Sequence, residues 1–462
     1  MAHPHTDRRA RIEAWLRRWG PLLPVFGAEF IVLIGFGALM PVLTLFIEDQ
    51  GIDPAQIGLI IAAWAIAKLL FEPVFGWWAD RHARKPQMIA GLLVLAVVSV
   101  LPLVLTGFWA LFILRFIAGA AVAAYDPAAK GMITDATRED ERGEAFGVYA
   151  AFQIGGFAVG PAIGGVGAAV FGGFAFPFIV TGLLSVVGAV VLARRLSPAP
   201  RLSSSPQPSA SPRTSAEPRT SAEPRPSAGP RPDEGETSAE HEAVARLGGE
   251  PFSASEQALV PTDPPAPETQ APIRAVFNRT VLTALVFTFG LHLTFGTYEV
   301  VWALYLVALG ASVAWVGVSF VLFSVPEMLV APFAGRYIDR HGPLRPIIVT
   351  GTVILFTGTF YALSRSYLAS SFVAPIEAAA TAAMMPALYT ILGRGAPPGR
   401  ASTAQGLFGA TSTLGLIVAS VVAGALFEMD LSLPFVFFVV GIAVTMTIGL
   451  LLYRSLPPAR LA

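Results

Sequence analysis

The chain has 462 residues, no cysteine, and 31 basic and 31 acidic side chains, so its formal net charge is zero. Hydrophobic residues make up 54% of it and charged residues 13%, and the mean hydropathy is +0.64. Apolar runs of about 20 residues match a hydrocarbon core of ~30 Å and exclude an ordinary soluble protein. The lack of cysteine excludes disulfides, thiolate metal sites and cysteine nucleophiles, and the scattered arginines exclude a basic nucleic-acid face.

Apolar segments separated by charges, Gly and Pro predict twelve membrane-spanning helices. We expect them at 22–47, 56–79, 87–106, 108–132, 143–169, 173–193, 280–309, 313–337, 346–364, 369–392, 402–427 and 431–453. Basic residues such as Arg18, Arg81, Arg84 and Lys85 lie in alternate loops, while the opposite loops hold essentially only Arg365. By the positive-inside rule, both termini are cytoplasmic and the chain is a multi-pass protein of the plasma (inner) membrane.

The segment 197–273 differs in composition from the rest of the chain. It is rich in Ser, Pro, Ala, Glu and Arg, with tandem SAEPRT, SAEPRP and SAGPRP from Ser215. Such a segment cannot bury a core, so we expect a disordered cytoplasmic linker. The other expected parts are a short N-terminal segment 1–21, a six-helix half 22–196, a second half 274–455 and a tail 456–462.

The two halves repeat each other at a constant offset of 259 residues (317 − 58 = 259). The offset links Gly58 to Gly317, Pro73 to Pro332, Gly76 to Gly335, Asp80 to Asp339, Arg81 to Arg340, Pro127 to Pro386, Gly147 to Gly406, Gly156 to Gly415 and Gly165 to Gly424. One register held over more than a hundred residues indicates duplication. Two parallel six-helix halves predict a substrate site near mid-membrane between them.

The loop after the second predicted helix carries a duplicated motif. The first copy contains Gly76, Asp80, Arg81, Arg84 and Lys85, and the second contains Gly335, Asp339, Arg340, Gly342 and Arg345. Both copies resemble the signature Gly-x-x-x-Asp-Arg-x-Gly-Arg-Arg of the major facilitator superfamily, with Ala83 in place of the second Gly in the first copy. The resemblance implies an all-α membrane fold of twelve helices in two pseudo-symmetric halves, with this loop as a cytoplasmic gate.

The fifth predicted helix carries small residues at Gly147, Gly156, Gly160, Pro161, Gly164 and Gly165. Their spacing resembles the antiporter signature of the drug/proton antiporter branch of that superfamily. Small residues let helices from the two halves touch closely, and Pro161 frees a backbone carbonyl and bends the helix. The alternative is ordinary glycine-rich membrane packing. Since Ser420 stands at the repeat position of Pro161, only the first half is built to bend there.

Ionisable residues inside the predicted helices are candidates for proton coupling, because burial disfavours their charged forms. Glu29 is our first choice, followed by Glu327 and Glu299, with Arg115 as electrostatic partner. Arg115 and Gly119 resemble the family motif Arg-x-x-x-Gly, in which the arginine faces the cavity and assists proton movement. The remaining candidates are Lys68, the repeat mate of Glu327, and His292, which shares a helix face with Glu299.

Each of these candidates has a structural alternative. Glu327 and Lys68 would equally well form structural ion pairs, and Arg115 would equally well extend to the outer interface. His292 is also explained as a satisfied polar residue. For Glu29 and Glu299 the alternative is likewise a purely structural role without proton coupling.

The intramembrane charges are mostly acidic, with Glu29, Glu72, Asp126, Glu299, Glu327 and Glu377 against Lys68 and Arg115. This bias favours neutral or cationic cargo. We assign Tyr298, Trp302, Tyr305, Asp126 and Glu377 to the substrate cavity, where aromatic rings would stack on apolar or cationic molecules. Lipid-facing aromatics are the alternative for the rings.

The sequence therefore predicts a proton-coupled secondary transporter that exports small amphipathic, neutral or cationic molecules, as in drug efflux, by alternating access. The first alternative is a proton symporter or a metabolite or sugar transporter of the same superfamily. A membrane enzyme or sensor is less consistent with a chain that has no Walker loop and no His-Glu-x-x-His motif. We expect no cofactor, no metal and no nucleic-acid partner, and a chain that acts as a monomer in the lipid bilayer.

Overall fold

The computed structural model describes residue 15 and residues 18–137, 141–196, 271–397 and 400–455. Most of the predicted linker 197–273, the beginning of the N-terminal segment and the tail 456–462 lie outside this description, as do the side chains of Asp80 and Asp339. The described part folds as an all-α protein with twelve segments that are long and apolar enough to cross a membrane. The predicted fold class is therefore confirmed.

The first half of the bundle contains α1 (Leu23–Asp49), α2 (Pro54–Arg81), α3 (Arg84–Val100), α4 (Phe108–Ala136), α5 (Arg142–Val170) and α6 (Ala175–Arg195). The second half contains α7 (Arg279–Ala308), α8 (Val313–His341), α9 (Leu344–Leu363), α10 (Tyr367–Thr381), α11 (Met384–Gly395), α12 (Ala401–Met429) and α13 (Leu433–Arg454). Helices α10 and α11 together form the tenth span.

Two spans differ from the sequence prediction for local reasons. Helix α3 ends at Val100 and continues as a 3₁₀ turn over Leu101–Leu103, short of the predicted residue 106. The tenth span is interrupted between Thr381 and Met384. Pro386 has no backbone N–H and its ring crowds the carbonyl of residue 382, which explains the interruption.

Helix packing inside each half follows the repeat. In the first half α1 packs against α5 and α6, and α2 packs against α4. In the second half α7 packs against α12 and α13, and α8 packs against α10. These pairs are equivalent under the offset of 259 residues, so the duplication seen in the sequence extends to the packing.

Helices of opposite halves come into close contact at two pairs of glycines, which we call the glycine crossings. A side chain at Gly58 of α2 would collide with the Ser420 carbonyl, and Gly424 of α12 lies against Gly58 itself. On the other side of the bundle, a Cβ at Gly165 of α5 would lie 2.6 Å from the Cα of Gly317 in α8. The offset exchanges the two crossings, because 58 + 259 = 317 and 165 + 259 = 424. The halves therefore meet at two equivalent points where only glycine leaves room.

Both crossings lie toward one end of the bundle. We call this the far end, where α1 ends at Asp49, and we call the opposite end, which carries Arg81, Arg84 and Arg340, the basic end. Toward the basic end, a side chain at Gly147, Gly335 or Gly406 would meet no atom within 4 Å. The helices that cross at the far end therefore diverge toward the basic end.

Gly424→Leu tests the far-end crossing. The new side chain would collide with the Pro54 carbonyl, so we expect the two halves to separate there by about 2 Å, the range over which side chains tune helix spacing. The measurement is the distance between spin labels at Asp49→Cys and Ala308→Cys, exposed repeat mates at the far end. Gly409→Leu is the control in the same helix, because nothing lies within 4 Å of Gly409. Equal distances in both variants would contradict a glycine-limited contact.

Candidate functional site

A cavity of about 270 Å³ lies between the two halves. We call it the central cavity. Its walls come from α1, α2 and α5 of the first half and mainly from α7, α8 and α10 of the second. Most of the lining is aromatic or aliphatic, which suits an amphipathic molecule more than a strongly hydrated one.

The lining follows the symmetry of the repeat. The offset of 259 residues pairs Phe36 with Phe295, Met40 with Glu299, Trp64 with Phe323 and Phe157 with Leu416, and all eight line the central cavity. The cavity therefore lies on the pseudo-two-fold axis that relates the halves. This is the position expected for the substrate site of a duplicated transporter.

The Asp, Glu, Lys, Arg and His side chains that line the central cavity among the described residues are all carboxylates from the second half, namely Glu299, Glu327 and Glu377. Glu377 is buried and accepts hydrogen bonds from the Tyr298 hydroxyl and the Thr357 hydroxyl, both at 2.8 Å. Glu327 has no hydrogen-bond or ion-pair partner among the described residues. It is therefore the carboxylate most able to take a proton or a cation.

An ion pair joins the halves beside the cavity. The Arg115 guanidinium of α4 lies 3.5 Å from the Glu299 carboxylate of α7. Both side chains are almost entirely buried, so each charge depends on the other. The Glu299 carboxylate is thereby neutralised from the first half of the bundle.

A second cavity, of about 210 Å³, lies inside the first half. We call it the N-half cavity. Phe36 and Trp64 line both cavities, and their ring centroids are 5.7 Å apart. These two rings form a wall between the N-half cavity and the central cavity.

Glu29, Lys68 and Asp126 lie together in the N-half cavity. The Lys68 ammonium forms an ion pair with Asp126 at 2.7 Å. The Gln153 side-chain amide donates to Glu29 Oε1 at 2.6 Å. The equivalent pair in the second half is Thr288 with Ser412, whose hydroxyls are 2.9 Å apart. The same α-helical contact is therefore acidic in one half and neutral in the other.

Most of the predicted antiporter motif lies in the contact of α5 with α1. Side chains at Gly156 and Gly164 would collide with the carbonyls of Phe30 and Ala38. At Gly160 a Cβ would lie 2.5 Å from the Ile34 carbonyl. The motif therefore fits α5 mainly against α1 of its own half. The expectation that these residues bring the two halves together is wrong for Gly156, Gly160 and Gly164 and correct for Gly165, which meets Gly317. Gly147 has no such contact.

The loop between α2 and α3 ties the basic end together. The Arg84 guanidinium pairs with Asp135 of α4, and Lys85 donates to the carbonyls of Ala193 and Leu196 at the end of α6. Arg81 lies over the Trp77 ring at 4.1 Å. These contacts hold the ends of α4 and α6 on the motif loop.

The two copies of the motif loop turn differently. Gly342 caps α8 with φ of +80°, a conformation that favours glycine, whereas Ala83 at the equivalent position has an extended backbone with φ of −65°. Since the first loop needs no left-handed residue, the alanine is accommodated. The role of Asp80 and Asp339 in gating stays a prediction, because their side chains lie outside the described residues.

The family model of the Major Facilitator Superfamily matches residues 25–301 and 284–462 of the chain. The chain belongs to the major facilitator superfamily. This confirms the family that the sequence motifs indicated.

Curated relatives match one third of the chain. The quinolone resistance protein NorA of Staphylococcus aureus (strain MRSA252) is 30% identical over 164 residues, which cover 35% of this chain and 42% of that protein. Multidrug resistance protein 2 of Bacillus subtilis (strain 168) is 30% identical over 161 residues, covering 35% and 40%. The matches thus span about two fifths of these relatives.

Solved structures match nearly the whole chain at low identity. A bacterial homologue of the human lysosomal transporter Spinster, in an inward-facing and occupied conformation, has a TM-score of 0.67 at 16% identity, covering 94% of this chain and 96% of that one. The nucleoside transporter NupG has a TM-score of 0.66 at 13% identity, covering 94% and 100%. This likeness establishes the fold alone.

The structure divides the predicted site residues between the two cavities. Glu299, Glu327, Glu377, Tyr298 and Trp302 line the central cavity. Glu29, Lys68, Arg115 and Asp126 line the N-half cavity. Arg115 makes its direct contact with Glu299 across the interface, and its expected electrostatic coupling to Glu29 through water stays a prediction.

Two predicted residues lie outside both cavity linings. Tyr305 is fully buried and its hydroxyl donates to the Tyr361 carbonyl at 2.9 Å, so it is a core residue. His292 is hydrogen-bonded through Nδ1 to the Thr288 carbonyl of its own helix at 2.8 Å. It shares a sequence face with Glu299 but packs against Gly415 of α12. It is better explained by its structural alternative.

Sequence reasoning missed Gln153, Phe36 and Trp64. Gln153 is an amide in an otherwise apolar stretch of α5, and the offset pairs it with Ser412 just as it pairs Glu29 with Thr288. Tracing polar residues through the repeat would have identified both pairs. Phe36 and Trp64 offered no such signal, because aromatic residues are common in apolar helices.

A double-mutant cycle tests the ion pair between the halves. Arg115→Met or Glu299→Met alone would leave a buried charge unpaired, so we expect each to lower the free energy of unfolding by about 3–5 kcal/mol. The double variant is expected to recover most of this loss, as measured by denaturation of the purified protein. The control is Arg18→Met, which breaks a half-exposed pair with Glu144 and should cost less than about 1 kcal/mol. Additive losses in the double variant would contradict a coupled pair.

Proposed function

We propose that the chain exports small amphipathic, neutral or cationic molecules across the plasma membrane by alternating access, in exchange for protons. The observation that carries this proposal is the central cavity, whose walls are mostly apolar and aromatic and whose acidic residues, Glu299, Glu327 and Glu377, are accompanied by no basic residue in the described lining. An apolar body would pack against the rings, and a positive charge would be matched by a carboxylate. An anionic cargo would be repelled.

Glu327 is the proposed meeting point of cargo and proton. It lines the central cavity and has no partner among the residues described. A proton neutralises this carboxylate, and so does a cationic cargo, so the two compete for it. This competition is the basis of exchange, since each ligand promotes release of the other.

This assignment reverses the order suggested by the sequence, which placed Glu29 first. Glu29 lies in the N-half cavity, behind the wall of Phe36 and Trp64. A cargo in the central cavity would not reach it directly. We therefore rank Glu327 before Glu29 as the proton carrier.

The glycine crossings and the Arg115–Glu299 pair support an alternating-access cycle. Together they close the far end, while the helices diverge toward the basic end. With the basic loops and both termini in the cytoplasm, as the positive-inside rule indicates, this is an inward-facing arrangement. Export then requires the two crossings to separate while the basic end closes.

The named relatives point in the same direction. Their names refer to quinolone resistance and multidrug resistance. Drug efflux is accordingly the form of export that we propose. Action as a monomer also belongs to this proposal, since each chain contains both halves and the whole central cavity.

Transport by purified protein in proteoliposomes tests this function. With one pH unit across the membrane and no electrical potential, one-for-one exchange should concentrate a fluorescent organic cation about tenfold in the acidic compartment. Glu327→Gln should abolish this accumulation, whereas the exposed far-end control Glu428→Gln should retain it. Accumulation in the alkaline compartment would indicate a symporter. Loss in Glu29→Gln but not in Glu327→Gln would make Glu29 the carrier.

Pro161→Ala tests the bend in α5. Pro161 cannot donate to the Phe157 carbonyl, and that carbonyl faces Gly37 of α1. Alanine restores the donor, so we expect turnover to fall by about tenfold, equivalent to about 1.4 kcal/mol of added barrier, with cargo affinity unchanged. Pro375→Ala, inside α10, is the control. Unchanged turnover in Pro161→Ala would remove α5 from the switching step.

A further inference from the structure

The N-half cavity is long and narrow. On α1 its lining residues begin at Glu29, follow one helix face through Phe36, and end at Ile47. Glu29 and Ile47 are 18 positions apart (47 − 29 = 18), which corresponds to about 27 Å at 1.5 Å per residue. A volume of about 210 Å³ spread over that length has the shape of a single extended chain.

One end of this cavity is polar and the other is mostly apolar. Glu29, Lys68, Asp126 and Gln153 all lie at the end nearer the basic loops. Toward the far end the lining is mostly apolar, with Ile47, Pro102, Leu111 and Phe178. The charged side chain in that part is Arg115, whose charge is matched by Glu299. A molecule that fills the whole cavity therefore needs a polar head and an apolar tail.

The polar end carries one unmatched negative charge when Glu29 is ionised. Lys68 and Asp126 neutralise each other at 2.7 Å. Glu29 is 1% exposed, and while Oε1 accepts from Gln153, Oε2 has no hydrogen-bond partner among the described residues. The buried hydroxyls of Tyr125 and Tyr149 both face Glu29, and each is without a hydrogen-bond partner within the described chain. Of the two, only Tyr125 lines the cavity. Buried polar atoms of this kind require a partner.

We propose that the N-half cavity is a second binding site, which takes a single-chain primary amine. The ammonium group lies on Glu29 Oε2 and the Tyr125 hydroxyl, and the alkyl chain extends along α1 toward Ile47. A primary ammonium has one positive charge, which matches the single unmatched charge, and enough N–H donors for both Glu29 Oε2 and the Tyr125 hydroxyl. A quaternary ammonium has no donor, and a neutral alcohol has no charge.

This site is separate from the central cavity and does not depend on the transport function proposed above. The wall of Phe36 and Trp64 stands between the two cavities, and Glu327 belongs only to the central one. The second half has no equivalent acidic head group site, because Thr288 and Ser412 occupy the positions of Glu29 and Gln153. The duplication therefore supplies an internal comparison.

Equilibrium binding of radiolabelled decylammonium to the protein in nanodiscs tests the proposal. Glu29→Gln should weaken binding by about tenfold or more, because it removes a charge-assisted hydrogen bond. Ser99→Phe, which fills the apolar part of the cavity without touching Glu29, should weaken it as well. Glu327→Gln should leave the affinity of the decylammonium binding that depends on Glu29 within about twofold. Parent-like binding in both Glu29→Gln and Ser99→Phe would overturn the proposal.

Competition defines the head group that the site selects. Unlabelled decylamine should displace the probe from the Glu327→Gln variant at least about tenfold better than decyltrimethylammonium or decanol. Equal displacement by the three would overturn recognition of a primary ammonium. Because this variant lacks the central carboxylate, failure here is distinguishable from failure of proton-coupled export.

Single cysteines locate the bound amine. Ser99→Cys reports on the N-half cavity and Ser324→Cys on the central cavity, and both serines are 6% exposed in a chain without native cysteine. Decylammonium should slow alkylation of Ser99→Cys by a small maleimide, and adding Glu29→Gln should remove that protection. Protection confined to Ser324→Cys would place the amine in the central cavity and overturn the assignment.

Discussion

Backbone contact between glycines at two equivalent crossings sets the geometry on which the rest of the structure depends. At Gly58–Gly424 and Gly165–Gly317 the helices of opposite halves touch without intervening side chains. In a bilayer no hydrophobic effect drives helices together, so such close packing is the main source of attraction. Because both crossings lie toward the far end, the halves enclose the central cavity between the crossings and the basic end instead of packing along their whole length. The buried Arg115–Glu299 pair adds a charged contact to the same closure.

Duplication gave the two halves the same packing but not the same charges. Glu29 and Gln153 correspond to Thr288 and Ser412, and all four occupy the contact of the first helix of a half with its fifth span. Lys68 corresponds to Glu327, so a paired cation in one half stands where an unpartnered carboxylate stands in the other, among the residues described. In the proposed transport cycle, the backbone symmetry allows the halves to rock, whereas the chemical asymmetry confines cargo and proton binding to defined positions. A symmetric set of charges would give the two sites the same preference.

The sequence predicted the twelve spans well because apolar length and loop charge are local properties. It also identified Glu299, Glu327 and Glu377, since a carboxylate in an apolar helix is conspicuous. It did not place Arg115 beside Glu299, because that contact depends on how α4 and α7 rotate toward each other across the interface. The offset of 259 residues relates equivalent positions, not contacting ones. The break at Pro386 was also missed, since the equivalent Pro127 lies inside an uninterrupted helix α4.

The wall between the cavities connects the glycine crossings to both binding sites. Trp64 lies in α2, six residues beyond Gly58, and Phe36 lies in α1, whose Gly37 packs on Pro161 of α5. A rotation of the first half that opens the Gly58–Gly424 crossing carries Trp64 with it, because both belong to one helix. The Trp64 ring faces the central cavity on one side and the N-half cavity on the other. Occupancy of the N-half cavity by a chain-like molecule therefore acts on the same wall that the cargo contacts, through the packing of Phe36 against Trp64.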